Sequence, residues 1–332
     1  MKIIFSESSN LNNSVYGNCQ APIKMFLEKR GEEFEQNSVL KNLFLMGSSK
    51  NYGDVMTTLT AMSGFEPVGE NGAYPLDGMQ EGYQKFLKYQ TWKDSFSVSK
   101  EMIEDGKLLD MRKQPAAFMT SYKRTRELFG AALYGAAMMG NGSVTFKGVK
   151  FDLTGADGSN LFAKEHVPKV SGDKQCNCFK DAFSVDTLGK LETKMHLFRG
   201  DNDEILDVAP DTILIPENAD LKKAVFAAIG ADKDPVSANN AFNYQYGRWN
   251  VIVWPHLNHY ITNGVSPWVL LDSKYNETYG GAVWNDRIQL EARSTIDENT
   301  DANVWRGRSR FNACFNDWRF AAIGGIAAGN SL

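Results

Sequence analysis

The chain is poor in the residues and motifs from which most active sites are built. It contains four cysteines and four histidines, and no histidine stands in an arrangement of base, nucleophile and orienting group. It has no phosphate-binding lysine loop, no dinucleotide-binding glycine pattern after a strand and no GxSxG nucleophile turn. The sequence therefore makes no positive case for catalysis, and we expect neither an enzyme nor a bound cofactor.

Long apolar runs and an excess of basic residues are also missing. No stretch approaches the roughly 18 apolar residues that span a bilayer, and Met1–Phe5 is too short for a signal peptide. The formal net charge is −4, whereas a nucleic-acid-binding domain is typically basic. These absences predict a protein of a reducing cytoplasm that binds no membrane and does not grip nucleic acid as a whole.

Two groups of residues have the chemistry of metal ligands. Cys176 and Cys178 form a close pair downstream of His166, and His256 and His259 are three residues apart. A structural zinc site needs four ligands, usually with two residues between paired cysteines, and the histidine pair lacks the glutamate and third ligand of zinc proteases. Reduced thiols and structural histidines are the favoured interpretation, so we expect no metal. A cytosolic metalloenzyme is the alternative from a different functional class.

A charged hairpin near the end of the chain is the clearest pattern present. Apolar residues keep a two-residue period over 288–296, a polar turn follows at 297–301, and Arg306, Arg308 and Arg310 then recur at every second position. Alternate residues of a strand share one face, so the three arginines form a row. The opposite face takes Trp305, Gly307, Ser309 and Phe311. The pattern is typical of a surface that meets another copy of the chain.

The strongest helix is predicted over 112–140, where apolar residues recur at spacings of four and seven. Pro115 suits its first turn, and Gly140–Gly142 ends it. Gly130 and Gly135 each cost about 1 kcal/mol relative to alanine in a helix, which predicts close packing at both positions.

A basic cluster, Lys123, Arg124 and Arg126, lies outside the apolar stripe of this helix. A solvated or subunit-facing surface is the favoured interpretation. A nucleic-acid patch is the alternative, although no aromatic residues interleave as stacking platforms.

Residues 54–104 predict two strands joined by a flexible tip. Strand character begins at Val55, glycines and prolines specify turns over 64–82, and strand character then returns with Trp92 and Phe96 on one face. Two strands alone bury little apolar surface. The hairpin therefore needs a partner, and its own domain and a neighbouring subunit both fit.

The remaining segments complete the pattern. The first fifty residues predict an arm with one or two helices, starting at Pro22 and broken near Gly31. A helix over 184–198 can be capped by Ser184 or Asp186. Residues 205–285 predict an α/β unit with a helix from Pro216 through Ile229. Its strands are continuous apolar runs, as in strands buried on both faces: 213–215, 251–254 and 268–271.

Taken in order, these segments resemble a tailed-bacteriophage major capsid protein of the Hong Kong 97 fold, and most closely the Mu-like major head subunit group. The local patterns that carry the resemblance are Ile103–Asp105 before the long helix, Asp157–Phe162 with His166 and Asn177 after it, Ala209–Pro216, Trp249–Leu257 and Trp268–Leu271. The resemblance implies an α+β fold in named parts. These are an N-terminal arm (1–53), an E-loop (54–105), a P domain (106–204 and 286–332) with a spine helix (112–140), and an A domain (205–285).

The resemblance also implies a function and partners. The expected protein is a structural subunit that self-assembles into hexamers and pentamers of an icosahedral shell around double-stranded DNA, without sequence-specific DNA contact. It would be assembled in the host bacterial cytoplasm and reside in the virion capsid. The expected partners are a portal and optional decoration proteins, and a separate scaffolding protein, since only about fifty residues beginning with Met1 precede the E-loop. An encapsulin-like compartment shell with the same fold is the alternative.

The resemblance finally points to the residues of subunit contacts. The arginine row is expected to pair with acids of an adjacent subunit, and the weakly acidic net charge suits a container that should not hold phosphates tightly. The candidate contact residues are Trp92, Phe96, Glu101, Glu104, Asp105, Lys123, Arg124, Arg126, Arg306, Arg308 and Arg310.

Overall fold

Helices and strands mix along the chain, as the predicted α+β class requires. The computed structural model describes residues 3–8, 11, 13–59, 65, 67–74, 76, 81–105, 108–230, 243–262 and 264–332. The helices in this part are α1 (Gly17–Gln36), α2 (Leu40–Leu43), α3 (Lys100–Glu104), α4 (Leu108–Met138), α5 (Val185–His196), α6 (Ala219–Ile229) and α7 (Ser273–Tyr279). Among the described helices, none is both long and apolar enough to cross a membrane.

The strands alternate with these helices and end in a long C-terminal pair. They are β1 (Ile4–Glu7), β2 (Leu45–Ser48), β3 (Gly53–Leu59), β4 (Glu81–Lys88), β5 (Gln90–Val98), β6 (Ser143–Phe146), β7 (Val149–Asp152), β8 (Thr212–Ile215), β9 (Asn250–Val253), β10 (Trp268–Leu271), β11 (Ala282–Ile296), β12 (Asn303–Phe315) and β13 (Ala321–Gly324).

A five-stranded sheet is built around the predicted C-terminal hairpin. β11 and β12 pair antiparallel from Ala282↔Phe315 to Ile296↔Asn303, which confirms the hairpin. β1 and β2 pair in parallel with β11, and β5 pairs antiparallel with the other edge of β12. The predicted alternation also holds, since Arg306 and Arg308 are exposed. The residues beside them are buried: Trp305, Gly307, Ser309 and Phe311.

The strand that carries Trp92 and Phe96 belongs to this sheet, which corrects the prediction of one hairpin over 54–104. β3 pairs with β4 in a separate two-stranded hairpin, and the strand conformation stops at Tyr89 before β5 begins. Alternation shows which residues share a face, but it does not show which strand is the partner. Parts of the predicted tip lie outside the described residues: 60–64, 66, 75 and 77–80.

The long helix is confirmed as α4, but it begins at Leu108 and not at residue 112. Pro115 therefore lies inside the helix, where it lacks the N–H that would bond the carbonyl one turn earlier. Contacts of α4 with α1, β5 and β6 hold the helix in place on several sides. Tertiary packing thus overrides the local preference of proline for a helix start.

Gly130 and Gly135 lie where α4 meets neighbouring segments closely, as predicted. A Cβ atom on Gly130 would lie 2.4 Å from Leu40 Cδ2, and one on Gly135 would lie 2.7 Å from Tyr260 Cβ. Real Cβ atoms do not approach this closely, because protein interiors are already close-packed. Both glycines are therefore required by packing.

A second sheet has the strand order β13-β10-β8-β9 and contains the three predicted buried strands. β9 pairs in parallel with β8, and β13 pairs antiparallel with β10. Every residue of β8 and β10 is buried, as the continuous apolar runs predict. β9, the third predicted strand, lies at the edge of the sheet and is only partly buried. β13 joins this sheet from the C-terminal segment, and residues 231–242 of the predicted α/β unit lie outside the described residues.

The boundaries of three further helices follow the sequence predictions to different degrees. α5 is confirmed, with a reciprocal capping box between Ser184 and Thr187. α6 begins at Ala219 rather than at Pro216, because the Asn218 side chain caps it. α1 runs without a break through Pro22 and Gly31, which corrects the predicted helix start and break.

Replacing Gly130 with alanine should destabilise the fold by about 1–3 kcal/mol, because overpacking of a tight core outweighs the better helix propensity of alanine. The measurement is the free energy of unfolding of the unassembled chain in urea. Thr120→Ala, at an exposed position of the same helix, is the control and should change stability by less than about 0.5 kcal/mol. An equally stable Gly130→Ala variant would contradict the close approach of Leu40.

Candidate subunit interfaces

The base of the β3–β4 hairpin, in the segment expected to be the E-loop, is fixed by a half-buried cluster of hydrogen bonds around Asp54. Its carboxylate accepts hydrogen bonds from the Ser49 hydroxyl and the Asn51 amide, both at 2.9 Å, and from the Tyr89 hydroxyl. Asn285 of β11 donates to Asp54 and to Tyr89. Burial acts to raise the pKa of Asp54, but these hydrogen bonds outweigh it and the pKa is lowered. The cluster ties the hairpin to the main sheet.

One face of the E-loop hairpin carries an exposed apolar pair, Val55 and Phe86. They are cross-strand partners, and their exposed fractions are 59% and 56%. Three described residues of the tip are also exposed and apolar or aromatic: Phe65, Tyr74 and Leu76. Exposed apolar side chains of this kind make the hairpin a candidate contact surface.

The opposite face of the hairpin rests on the chain's own loop 152–169. The Lys85 ammonium donates to the Thr154 carbonyl and lies 3.1 Å from Asp152 Oδ2. The Tyr83 hydroxyl donates to the Val167 carbonyl at 3.4 Å, and Lys169 Nζ donates to the Gly82 carbonyl at 2.5 Å. Polar contacts to the chain's own domain therefore set the direction of the hairpin, while its apolar face stays free.

The outward surface of the main sheet carries a basic face, defined as Lys93, Arg293, Arg306 and Arg308. Arg293 is the cross-strand partner of Arg306, and Lys93 is that of Arg308. Like charges directly opposite one another destabilise a sheet. The Glu291 carboxylate, 3.6 Å from Arg308, offsets part of this positive charge. A groove of about 890 Å³ crosses this face, which suits an anionic partner.

An acidic end of the same sheet lies beyond the basic face. It combines exposed acids from two segments. Glu101, Glu104 and Asp105 belong to α3 and the residue that follows it, and Glu298 and Asp301 belong to the turn between β11 and β12. Tyr16 lies between the two segments. Burial raises its pKa, and Asp301, Glu101 and Glu104 raise it further. The two segments therefore share one electrostatic field.

The acidic end is separated from the arginines along the sheet. Arg308 lies five residues along β12 from Asn303, about 17 Å at strand spacing, and Arg306 lies three residues from it, about 10 Å. The sheet therefore carries surfaces of opposite charge at different positions.

The other predicted contact residues are occupied within the chain to different degrees. Trp92 stacks on Phe311 with 5.2 Å between ring centroids, and Phe96 packs against Phe118 at 5.3 Å. Arg126 forms two parallel hydrogen bonds to Asp286, at 2.9 and 3.0 Å. These three side chains hold α4 against the main sheet.

The remaining predicted basic residues lie nearer the surface. Lys123 Nζ lies 4.9 Å from the ring centroid of Phe34, and Arg124 is exposed. Arg310 is half-buried, and its Nε lacks a hydrogen-bond partner in the described part of the chain. The arginine row is therefore not uniform, since two of its members face solvent and the third is partly enclosed.

A buried polar network was missed as a unit by sequence reasoning. Asp157 and Asn177 flank the ring of His166, which stacks on Trp318 with 4.1 Å between ring centroids. Next to it, Arg319 bonds Asp201 at 2.8 Å and Asp317 at 3.2 Å. Tyr275 donates to Asp317 at 2.8 Å. The only sequence signal was the order of separate short motifs, because the members are far apart along the chain.

The four cysteines are free thiols. Burial raises the pKa of Cys314 to about 11, and burial followed by Cys176 raises the pKa of Cys178 to about 11. A thiol reagent attacks the thiolate, so both groups are poorly reactive in the folded chain.

Alkylation of the folded protein near pH 8 should therefore label Cys178 and Cys314 at least about tenfold more slowly than in urea. Peptide mass spectrometry gives the rate at each cysteine, and Cys314→Ser assigns the slowest site. Equal rates in the folded and unfolded chains would show that the two thiols are not enclosed as described.

Comparison with known proteins identifies the family and the fold. The family described as phage capsid protein matches residues 83–324, more than half of the chain. The capsid structure of Ralstonia phage GP4 is similar with a TM-score of 0.52 and 9% identity, over 86% of this chain and 90% of that chain. The holo-SrpI encapsulin complex of Synechococcus elongatus is similar with a TM-score of 0.50 and 10% identity, over 86% of each chain.

These structural likenesses, at such low identity, show the fold alone, and no curated protein gives a significant sequence match. The family match covers α4, all of the second sheet, and β5, β11 and β12 of the main sheet, whereas β1 and β2 lie before it. The chain therefore belongs to the phage capsid protein family, as a major capsid protein of the Hong Kong 97-like fold.

Proposed function

We propose that the chain builds hexamers and pentamers of an icosahedral shell that encloses double-stranded DNA. The proposal divides the chain into the N-terminal arm, E-loop, P domain and A domain at the boundaries given above, and it assigns no catalytic role. The uncovered apolar face of Val55 and Phe86 carries this proposal, since apolar side chains on an exposed hairpin gain stability when a neighbour covers them.

The charged surfaces supply the second half of the proposed interface. Lys93, Arg293, Arg306 and Arg308 of one subunit face the acidic end of another, with Glu101, Glu104 and Asp105 among its acids. Such a contact joins two different surfaces head to tail. Head-to-tail contacts form a closed ring when the rotation from each subunit to the next adds up to a full turn. Charge complementarity then favours the correct neighbour and orientation over others.

Membership of the Mu-like major head subunit group belongs to the same proposal. The short motifs at 157–162 and 209–216 support it, because they appear in the order that the group shows. The proposed partners are a portal, a separate scaffolding protein and decoration proteins, with assembly in the host bacterial cytoplasm. A net charge of −4 limits salt-dependent attraction between the wall and the packaged phosphates.

The similarity to an encapsulin supports one alternative function, a compartment shell that encloses a protein instead of DNA. That match shows a shared fold at 10% identity, whereas the family match is to phage capsid proteins. The two functions differ in what the shell contains. Particles purified from infected or induced cells should therefore contain DNA protected from nuclease, whereas a protein cargo would favour the encapsulin-like alternative.

Val55→Asp should block assembly, because a charge on the exposed apolar face cannot be covered by a neighbour without a large desolvation cost. Electron microscopy of the expressed protein, with scaffold supplied, should show shells, tubes or capsomer rings for the natural sequence and none for this variant. Val170→Asp is the matched control, because Val170 is 49% exposed against 59% for Val55 and lies outside the E-loop. No assembly by the natural sequence under any condition would overturn the proposed function.

Arg308→Glu should impair assembly while the unassembled chain keeps its circular dichroism spectrum and thermal midpoint. Reversing the charge places like charges at the proposed contact and costs a few kcal/mol per interface. Combining it with Glu101→Arg and Glu104→Arg should restore part of the assembly, and Lys190→Glu, an exposed reversal on α5, should have no effect. Normal shells from Arg308→Glu alone would remove the basic face from the interface.

A further inference from the structure

The β3–β4 hairpin is anchored at its base by apolar side chains. Leu87 and Tyr89 of β4 are buried in a small cluster with Cys314 of β12, and Met56 of β3 packs against this cluster. Tyr89 also donates a hydrogen bond to Asp54. All of these contacts lie at the end of the hairpin nearest the main sheet. They fix the point at which the hairpin starts, and contacts farther out must fix the angle at which it leaves.

Alternation along β4 turns every second side chain toward the chain's own domain. From the base outward, these side chains are Tyr89, Leu87, Lys85 and Tyr83, whereas Phe86 and Gln84 between them are exposed. The inward row thus changes from apolar to polar at Lys85. This residue lies four positions from Tyr89, about 13 Å along the strand. It is therefore the first polar support of the hairpin beyond its base.

The ammonium group of Lys85 is enclosed by a short turn of the loop 152–169. The Lys85 side chain is 9% exposed, its Nζ lies 3.1 Å from Asp152 Oδ2, and it donates to the Thr154 carbonyl. Asp152 Oδ1 accepts from the backbone N–H and the hydroxyl of Thr154, at 3.1 and 2.9 Å. Both partners of Lys85 therefore belong to one turn that is held by its own hydrogen bonds.

The two members of this ion pair differ in their exposure. The Asp152 side chain is 60% exposed. Partial burial acts to raise the pKa of Asp152, but the hydrogen bond from Thr154 and the charge of Lys85 outweigh it and the pKa is lowered. A sideways shift of the hairpin would leave the nearly enclosed ammonium group without its carboxylate, which is unfavourable. The pair therefore resists a change in the angle of the hairpin.

The other two contacts of the hairpin with this loop constrain the angle less. The Tyr83 hydroxyl donates to the Val167 carbonyl at 3.4 Å, which is long for a hydrogen bond between oxygens. Lys169 donates to the Gly82 carbonyl at 2.5 Å from an exposed position on the loop. Its flexible four-carbon stem can follow the hairpin over a range of angles. The enclosed stem of Lys85 does not have this freedom.

The length of the hairpin amplifies any error at Lys85. β4 continues four residues beyond Lys85 to Glu81, a further distance of about 13 Å. With the base as the pivot, a shift of about 1 Å at Lys85 becomes about 2 Å at Glu81. The exposed apolar pair Val55 and Phe86 turns with the same strand pair.

We propose that Lys85 is the positioning residue of the hairpin: its contacts with Asp152 and the Thr154 carbonyl fix the angle between the hairpin and the body of the chain, and this angle sets the curvature at which neighbouring subunits meet. A uniform angle gives shells of one size, whereas a variable angle gives a mixture of sizes. The consequence for shells rests on the proposed function. The fixed angle is a property of the single chain.

The test of the angle uses Lys85→Met in the full, unassembled chain, because methionine keeps an unbranched stem and removes the ammonium group. Nitroxide labels are placed at Gln84→Cys on the hairpin and Lys190→Cys on α5, both exposed positions, with Cys19 and Cys176 replaced by serine. Pulsed electron paramagnetic resonance then gives the distribution of distances between the labels. It should be narrow with Lys85 and at least about twice as wide in the variant, since a local contact is lost.

The matched control is Lys88→Met, which removes the same charge from the same strand. Lys88 is exposed, and its Nζ lies 5.4 Å from the ring centroid of Tyr52. This variant should keep the narrow distribution. The thermal midpoint of Lys85→Met should stay within about 2 °C of the natural value, because one partner of the ion pair is exposed. An unchanged distribution in Lys85→Met, or equal broadening in Lys88→Met, would overturn the positioning role.

Electron microscopy of the assembled protein tests the consequence for shells. The natural sequence should form particles of one diameter, and Lys85→Met should form particles of several diameters or open sheets. Particles of one natural diameter from Lys85→Met would overturn the link between the angle and the curvature. The distance measurement needs no assembly, so a natural sequence that forms no shells would refute the proposed function without deciding the role of Lys85.

Discussion

The fold depends on the burial of one face of the spine helix in an aromatic cluster centred on Phe129. Its ring is fully buried and lies within 6.0 Å, between centroids, of rings in the main sheet and in the β6–β7 hairpin. The five rings around it are Trp92, Phe146, Phe151, Trp284 and Phe311. Aromatic side chains bury large areas and add favourable edge and stacking geometry. This cluster therefore joins segments that are more than two hundred residues apart along the chain.

That arrangement fixes the direction of each assembly surface. Because Trp92 and Phe311 face the helix, the residues that alternate with them, such as Lys93 and Arg308, must face away from it. The basic face is thus a geometric consequence of the buried cluster. The E-loop leaves the same sheet at Tyr89, where the Asp54 cluster holds it. One side of the sheet therefore packs the core, and the other carries the surface that we propose for subunit contact.

Periodicity in the sequence predicted the elements whose signal is local. The β11–β12 hairpin, α4, the capped start of α5 and three strands of the second sheet, β8, β9 and β10, follow from patterns within about fifteen residues. β13 was not predicted. The predictions that were wrong concern partners. Pro22 and Pro115 lie inside helices because distant contacts override propensity, and β5 joins β12 because alternation carries no information about pairing.

The buried network around His166 shows the same limit at the level of a site. Asp157, His166 and Asn177 lie within one stretch, but Trp318 and Arg319 approach from the other end of the chain. No spacing rule connects these residues, since the contact exists only after both sheets have formed. The sequence supplied the order of the motifs, and the structure supplies the reason that they belong together.

The pairing of β13 with β10 has a consequence for the time at which the protein becomes competent to assemble. Residues 321–324 complete the second sheet, and β1 is held by residues 291–294. A nascent chain on the ribosome therefore lacks β11 and β12, the central strands of the main sheet, and β13, one edge of the second sheet, until these late residues have emerged. Such non-local pairing is slow to form. The order of synthesis therefore delays assembly, because an incomplete chain lacks the finished surface that would join a growing shell.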